Sequence, residues 1–225
     1  MRVLAIDTAL EACSAAVLDT ARGGVLARQS RPMVRGHAEA LMPLLAALMD
    51  EAKSEFAELD RVAVTTGPGS FTGLRVGLSA ARAIGLAADR PVVGLSTLAA
   101  FAAPHIAADD TVSVAVAIDA RHAQVYLQIF GAGGRTLIAP RITPIHEAVR
   151  VASIGPVRLA GSAAGLLAAA WIAEPPLLVD ERPAPDIDWV ARLGVAAVES
   201  QSLPKPLYLR TPDAQPQDAA RLPRR

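Results

Sequence analysis

A two-lobed α/β fold made by duplication is the class this sequence predicts, and three observations carry it. Short apolar runs alternate with stretches of helical period, the mark of mixed α/β layers. The unit "RVLAIDTALEACSAAVLD" at 2–19 is mirrored by "SVAVAIDARHAQVYLQIF" at 113–130: strand, acid, turn, strand in both. Ala5-Ile6-Asp7 and Ala117-Ile118-Asp119 stand 112 residues apart, half of the 225-residue chain, as an internal repeat requires. The repeat places one lobe at 1–108 and a second at 109–225, the C-terminal helix and tail packing back on the first.

The elements follow in order. "RVLAID", "ACSAAVLD" and "VLARQS" are three short apolar runs, a meander over residues 2–31. "GHAEALMPLLAALMDEAK" then changes to helical period. Its Leu41, Met42, Leu44, Leu45, Leu48, Met49 and Ala52 cover an arc of about 160°. Ala40, Ala46 and Ala47 leave much of the remainder uncharged, more apolar perimeter than one core face needs. "RVAVTT" has the composition of a buried strand, a helix runs from about Phe71 to Ala88, and "PVVGLS" is another strand. After the repeated hairpin come a short helix at "IHEAVR" and a strand, glycine turn and helix in "VRLAGSAAGLLAAA". "PAPDIDWVARLGVAAVES" is an amphipathic helix opened by proline and acids. The proline-rich end is expected to fray beyond about Ala214.

Composition excludes several classes. A hydrophobic share of 52% supports a sizeable core, and 22 basic against 22 acidic residues leave no net charge. A chain that grips RNA unaided shows a basic excess, so this one should hold RNA weakly by itself. The single cysteine, Cys13, allows neither an intrachain disulfide nor a cysteine zinc site. Asp7 interrupts the apolar core a secretory leader would need, and "GSAAGLLAAAWIA" is too short for a membrane span. A cytoplasmic protein without membrane contact is expected.

Catalytic signatures are absent at their required spacings. His37, His105, His122 and His146 lack a second histidine three or four residues away, and Arg150 stands where His146-Glu147 would need one. Neither Ser70 nor Ser79 sits in G-x-S-x-G. Ser70 suits a helix N-cap, with Thr72 as the alternative. "GPGSFTG" is a glycine loop before a helix, a candidate anion cradle, but Pro68 offers no N–H and no G-K-[ST] follows. In nucleotide-binding proteins of the actin/hexokinase/Hsp70 architecture, glycines in the two hairpin turns hold phosphates. Here the turns are "DTALEA" and "DARHAQ", with no glycine, so the nucleotide site of that architecture is degenerate.

Gly73, Gly77, Ala81 and Gly85 recur every fourth residue, a ridge nearly without side chains. Three interior glycines cost about 2–3 kcal/mol, which close backbone packing can offset. The ridge packs within its own lobe or against another protein. Beside the preceding helix it favours a helix-pair interface of His37, Leu41, Leu45, Met49, Gly73, Gly77, Ala81 and Gly85.

The chain resembles the bacterial TsaB (YeaZ) family in Leu4 to Thr8, "RGHAEALMP" at 35–43, "GPGSFTGLRVGLSAARAIGLA" at 67–87, "SVAVAIDARHAQVY" at 113–126 and "KPLYLRTPDA" at 205–214. Ala38 departs from the family's usual serine, and "AGSAAG" at 160–165 from a more glycine-rich turn. The resemblance implies an actin-like fold and a non-catalytic, cofactor-free subunit in the making of N6-threonylcarbamoyladenosine at adenosine 37 of tRNA. It implies that transfer is performed by a larger paralogue, TsaD, which holds a metal through paired histidines. It further implies pairing with TsaD, a small ATPase (TsaE) joining, tRNA met only through the complex, and a homodimer when alone. His37 lies where the paralogue's metal histidines belong, without a second. A stand-alone actin-fold ATPase or kinase, and a peptidase, are the alternatives that the glycine-free turns and missing motifs disfavour.

Overall fold

The computed structural model describes residues 1–172, 174–200 and 202–210. The expected fraying beyond Ala214 lies outside the described residues. Two five-stranded sheets repeat one topology. In the first, β1 (Arg2–Asp7), β2 (Ala12–Asp19) and β3 (Gly24–Pro32) form an antiparallel meander. β4 (Arg61–Gly67) lies parallel to β1, and β5 (Val92–Ser96) parallel to β4, so the order is β3-β2-β1-β4-β5. The second sheet takes β6 (Ser113–Asp119), β7 (Gln124–Phe130) and β8 (Thr136–Pro144) as its meander. β9 (Val157–Ala160) and β10 (Leu178–Asp180) add in parallel on the other side of β6. Each half thus places its Ala-Ile-Asp tripeptide at the end of the central strand, and this two-sheet arrangement is that of the actin-like class.

Helices fill three of the five layers. On the outer face of the first sheet, α1 (His37–Ala52) and α2 (Phe71–Ala88) cover Leu4, Ile6, Val62 and Val64. Ser70 caps α2 by accepting the Gly73 N–H at 3.3 Å. Between the sheets lie α3 (Thr97–Ala108) and α6 (Ile187–Ala196), the first against Val114, Val116 and Ile118, the second against Ala5, Ala16 and Leu18. α4 (Ile145–Ala152) and α5 (Ala164–Ala169) cover the far face of the second sheet. Sequence periodicity missed α3 because both of its sides are buried. A helix apolar all round has no amphipathic stripe to detect.

Two arginines tie the central helices down. Arg61 on β4 donates through Nη1 to the carbonyls of Gly194 at 2.9 Å and Ala197 at 2.6 Å, capping the C-terminus of α6. Arg158 on β9 does the same for α3, through His105 O at 3.0 Å and Asp109 O at 2.9 Å. A guanidinium at a helix C-terminus meets both the free carbonyls and the negative end of the dipole. Beyond α6 the chain crosses both lobes. Leu207 N donates to Thr66 O at 2.7 Å, and the Tyr208 ring lies 5.0 Å from that of Phe71. Arg210 then reaches the second lobe, at Ala120 O and Gln124 Oε1, each 2.8 Å away.

Candidate functional site

The turn after β1 is sealed by the glycine loop. Ser70 N, at the start of α2, donates to Ala9 O at 2.7 Å, and Thr8 Oγ1 donates to Gly73 O at 2.7 Å. A Cβ at Gly69 would stand 2.3 Å from Ala9 O, and one at Gly73 2.0 Å from Thr8 O. A phosphate at this helix N-terminus would need the place that the Ala9 carbonyl already takes. The expected anion cradle is therefore filled by the chain itself, which is what the loop glycines permit.

The ridge continues that contact inward. A Cβ at Gly77 would meet Thr8 Oγ1 at 2.5 Å, and one at Gly85 would meet Val92 Cγ2 at 2.4 Å. Gly73, Gly77, Ala81 and Gly85 thus face their own sheet, and the expectation that they touch a partner helix is corrected. Leu41, Leu45 and Met49 lie in the same core, and His37 is buried with Nε2 donating to Leu10 O at 3.0 Å. The physical reason is common to all eight. The apolar arc and the small-residue ridge are the faces most depleted of polar atoms, so the sheet claims them first.

What the two helices turn outward is the other perimeter. Met42, Pro43, Ala46 and Ala47 on α1, and Ser79, Ala83, Leu86 and Ala87 on α2, are exposed. Met42 keeps 53% and Leu86 86% of its accessible surface. These eight residues carry no charge and lie on adjacent helices. The wheel position of the alanines was their signal in the sequence.

Asp7 sits beneath the sealed turn with no exposure. Its Oδ1 accepts from Thr65 Oγ1 and from Ala9 N at 3.2 Å, while Oδ2 is buried without a partner. Burial pushes the carboxyl up from 3.8 to about 6, against the hydrogen bonds from Thr65 and Ala9 and the field of His37. Among the described residues no three His, Cys, Asp or Glu side chains converge to hold a metal ion. His146 is exposed on α4, far in sequence from the other candidates. No helix among the described residues is long and apolar enough to cross a membrane.

Comparison with known proteins places this geometry. The family profile described as TsaD, tRNA N6-adenosine threonylcarbamoyltransferase, matches residues 13–170. The structure of YeaZ from Pseudomonas aeruginosa superimposes with a TM-score of 0.78 at 30% identity, covering 92% of this chain and 99% of that one. The Escherichia coli tRNA threonylcarbamoyladenosine biosynthesis protein TsaB is 35% identical over 126 residues, 56% of this chain and 53% of its own length. A ROK hexokinase from Thermus thermophilus shares the fold at a TM-score of 0.50 and 15% identity.

Proposed function

Because the chain belongs to the TsaB/YeaZ family, we propose that it is a non-catalytic subunit of the machinery that makes N6-threonylcarbamoyladenosine on tRNA. It pairs with a TsaD-like catalytic paralogue, and a TsaE-like ATPase joins the pair. The tRNA is engaged through the assembly, in the cytoplasm, and the chain by itself forms a homodimer. The observation that carries this reading is the outward face of α1 and α2. Its exposed Met42, Ala46, Ala47, Ala83 and Leu86 form the kind of apolar surface that helix pairs bury in a dimer. A related fold offers a similar face, so one surface serves both the paralogue and a second copy. The neighbouring turn supports a non-catalytic role: Asp7, the acid of the first repeat, is sealed from substrate, and His37 has no second histidine beside it.

The test is a charge placed on that face. Ala47→Arg and Ala83→Arg replace exposed side chains, so each should leave the melting temperature within about 2 °C of the parent. Each is expected to abolish co-purification with the paralogue and self-association in sedimentation. Pairing retained by both variants overturns the interface. Modified adenosine formed by this chain alone from threonylcarbamoyl-adenylate and tRNA overturns the non-catalytic role, and peptide cleavage would favour a peptidase.

A further inference from the structure

The β6–β7 turn of the second lobe is built unlike its counterpart, and nothing in the pairing role uses it. Arg121, His122 and Ala123 adopt φ of 61°, 53° and 55°, three successive left-handed residues without a glycine. Each such residue costs roughly 1–2 kcal/mol relative to ordinary backbone. The turn is held there from below. Asp119 Oδ1 accepts the Arg121 N–H at 2.7 Å, Gln124 N donates to Arg121 O at 3.1 Å, and Arg210 grips the turn's two ends. His122 and Ala123 are exposed, and their N–H groups have no acceptor among the described residues. Arg121 and His122 side chains are also exposed, and no described carboxylate forms an ion pair with either.

Ala123 also lines a largely apolar groove of about 580 Å³, together with His146 and Arg150. Glu147 lies 4.0 Å from Arg150 and is shared with Arg141, so it offsets only part of the local positive charge. Free backbone N–H groups in a left-handed turn, with an arginine alongside, make a concavity suited to a phosphate oxygen. The turn and Arg150 are exposed beside an open groove, not an enclosed pocket. The site therefore fits a phosphodiester chain better than a free nucleotide.

We infer that the Arg121–His122 turn, together with His146 and Arg150, is a contact for the phosphate backbone of RNA. The inference rests on the tRNA reading above and assigns to this subunit part of the substrate grip in the assembled complex. Exposed single-stranded loops and their phosphates are the parts of a folded RNA most open to such a contact. A chain of zero net charge holds RNA this way only as an auxiliary, with the partner's contribution added.

The experiment uses the complex of this chain with its catalytic paralogue. Asparagine tolerates left-handed backbone, so the double variant Arg121→Asn/His122→Asn removes both side chains while keeping the turn. Arg150→Gln on α4 is the second variant. With tRNA as substrate, the double variant is expected to raise KM about 10-fold with kcat within about twofold, and Arg150→Gln to raise it about threefold. Filter binding of tRNA across salt concentrations should show the slope of log K against log salt flattened by roughly one for the double variant. Unchanged KM and slope in both variants overturn the inference. Loss of paralogue pairing by the double variant also overturns it, by making the turn a protein contact, as does stronger competition by ATP than by tRNA at this turn. A parent complex that binds tRNA yet never modifies it refutes the proposed function while the salt slopes still decide the RNA contact.

Discussion

Asp7 ends β1 and Asp119 ends β6, each the last residue of the same Ala-Ile-Asp tripeptide at the centre of its sheet. Asp7 is buried completely, whereas Asp119 is exposed. Over the first, the loop after β4 closes down, with Ser70 N on Ala9 O and Gly73 against Thr8. Over the second, the loop after β9 touches only the base. Ser162 Oγ accepts the Asp119 N–H at 3.2 Å, and Ala163 N donates to Ala117 O at 3.1 Å. The difference lies in the segment that follows: Gly69, Gly73 and Gly77 let the start of α2 close on Thr8 and Ala9, while the residues before α5 reach only Ala117 and Asp119. A duplicated strand conserves topology, and the partner packed across its end decides the chemistry available to its acid.

The sharpest way to break this comparison is to prop the first turn open. Gly73→Ala places a Cβ on the Thr8 carbonyl, backbone against backbone, and is expected to cost about 3 kcal/mol or more. Denaturant unfolding measures it, with Gly155→Ala as control, since nothing lies within 4 Å of a Cβ there. The control should stay within about 0.5 kcal/mol. Equal stability of the two variants would mean that the loop does not seal the turn.

The second effect is one of pH. Folding raises the Asp7 pKa from 3.8 to about 6, so the native state favours the protonated acid. The penalty is absent well below pH 3.8, grows as pH rises toward 6, and is complete at pH 7. A shift of about two units corresponds to about 3 kcal/mol. Relative to the parent, Asp7→Asn should therefore gain about 3 kcal/mol of unfolding free energy on going from well below pH 3.8 to pH 7. A flat difference across that window would show that solvent reaches Asp7.

Smaller effects are expected at the open turn. Arg210→Ala removes two charge-assisted hydrogen bonds of a half-buried side chain and should lower stability by about 1–2 kcal/mol. Ala123→Gly relieves left-handed strain and should raise stability by about 0.5–1 kcal/mol in thermal unfolding. A glycine gained thus helps the second turn, where a glycine lost harms the first. The same sign in both places would remove the contrast.

Much of this was readable in the sequence. The meander at 2–31, the helix from Phe71 to Ala88, its Ser70 cap and the repeat of Asp7 at Asp119 follow from period and spacing, which are local properties. The short runs that became β8 and β10 carry no comparable signal. β8 is a mostly half-exposed edge strand, and β10 has three residues. At the candidate site, the sequence marked two adjacent helices, and the eight residues it named pack into their own lobe.

That last division has a physical cause. A stripe of glycines and alanines states that some backbone comes close, and composition holds no record of which one. Only the tertiary structure set Thr8, Ala9 and Val92 against the ridge, left Met42 and Leu86 outside, and sealed Asp7 while opening Asp119. Spacing along the chain determines which residues share a face. What that face meets depends on contacts across 65 residues of sequence, such as Thr8 to Gly73, and those exist only once the sheet has assembled.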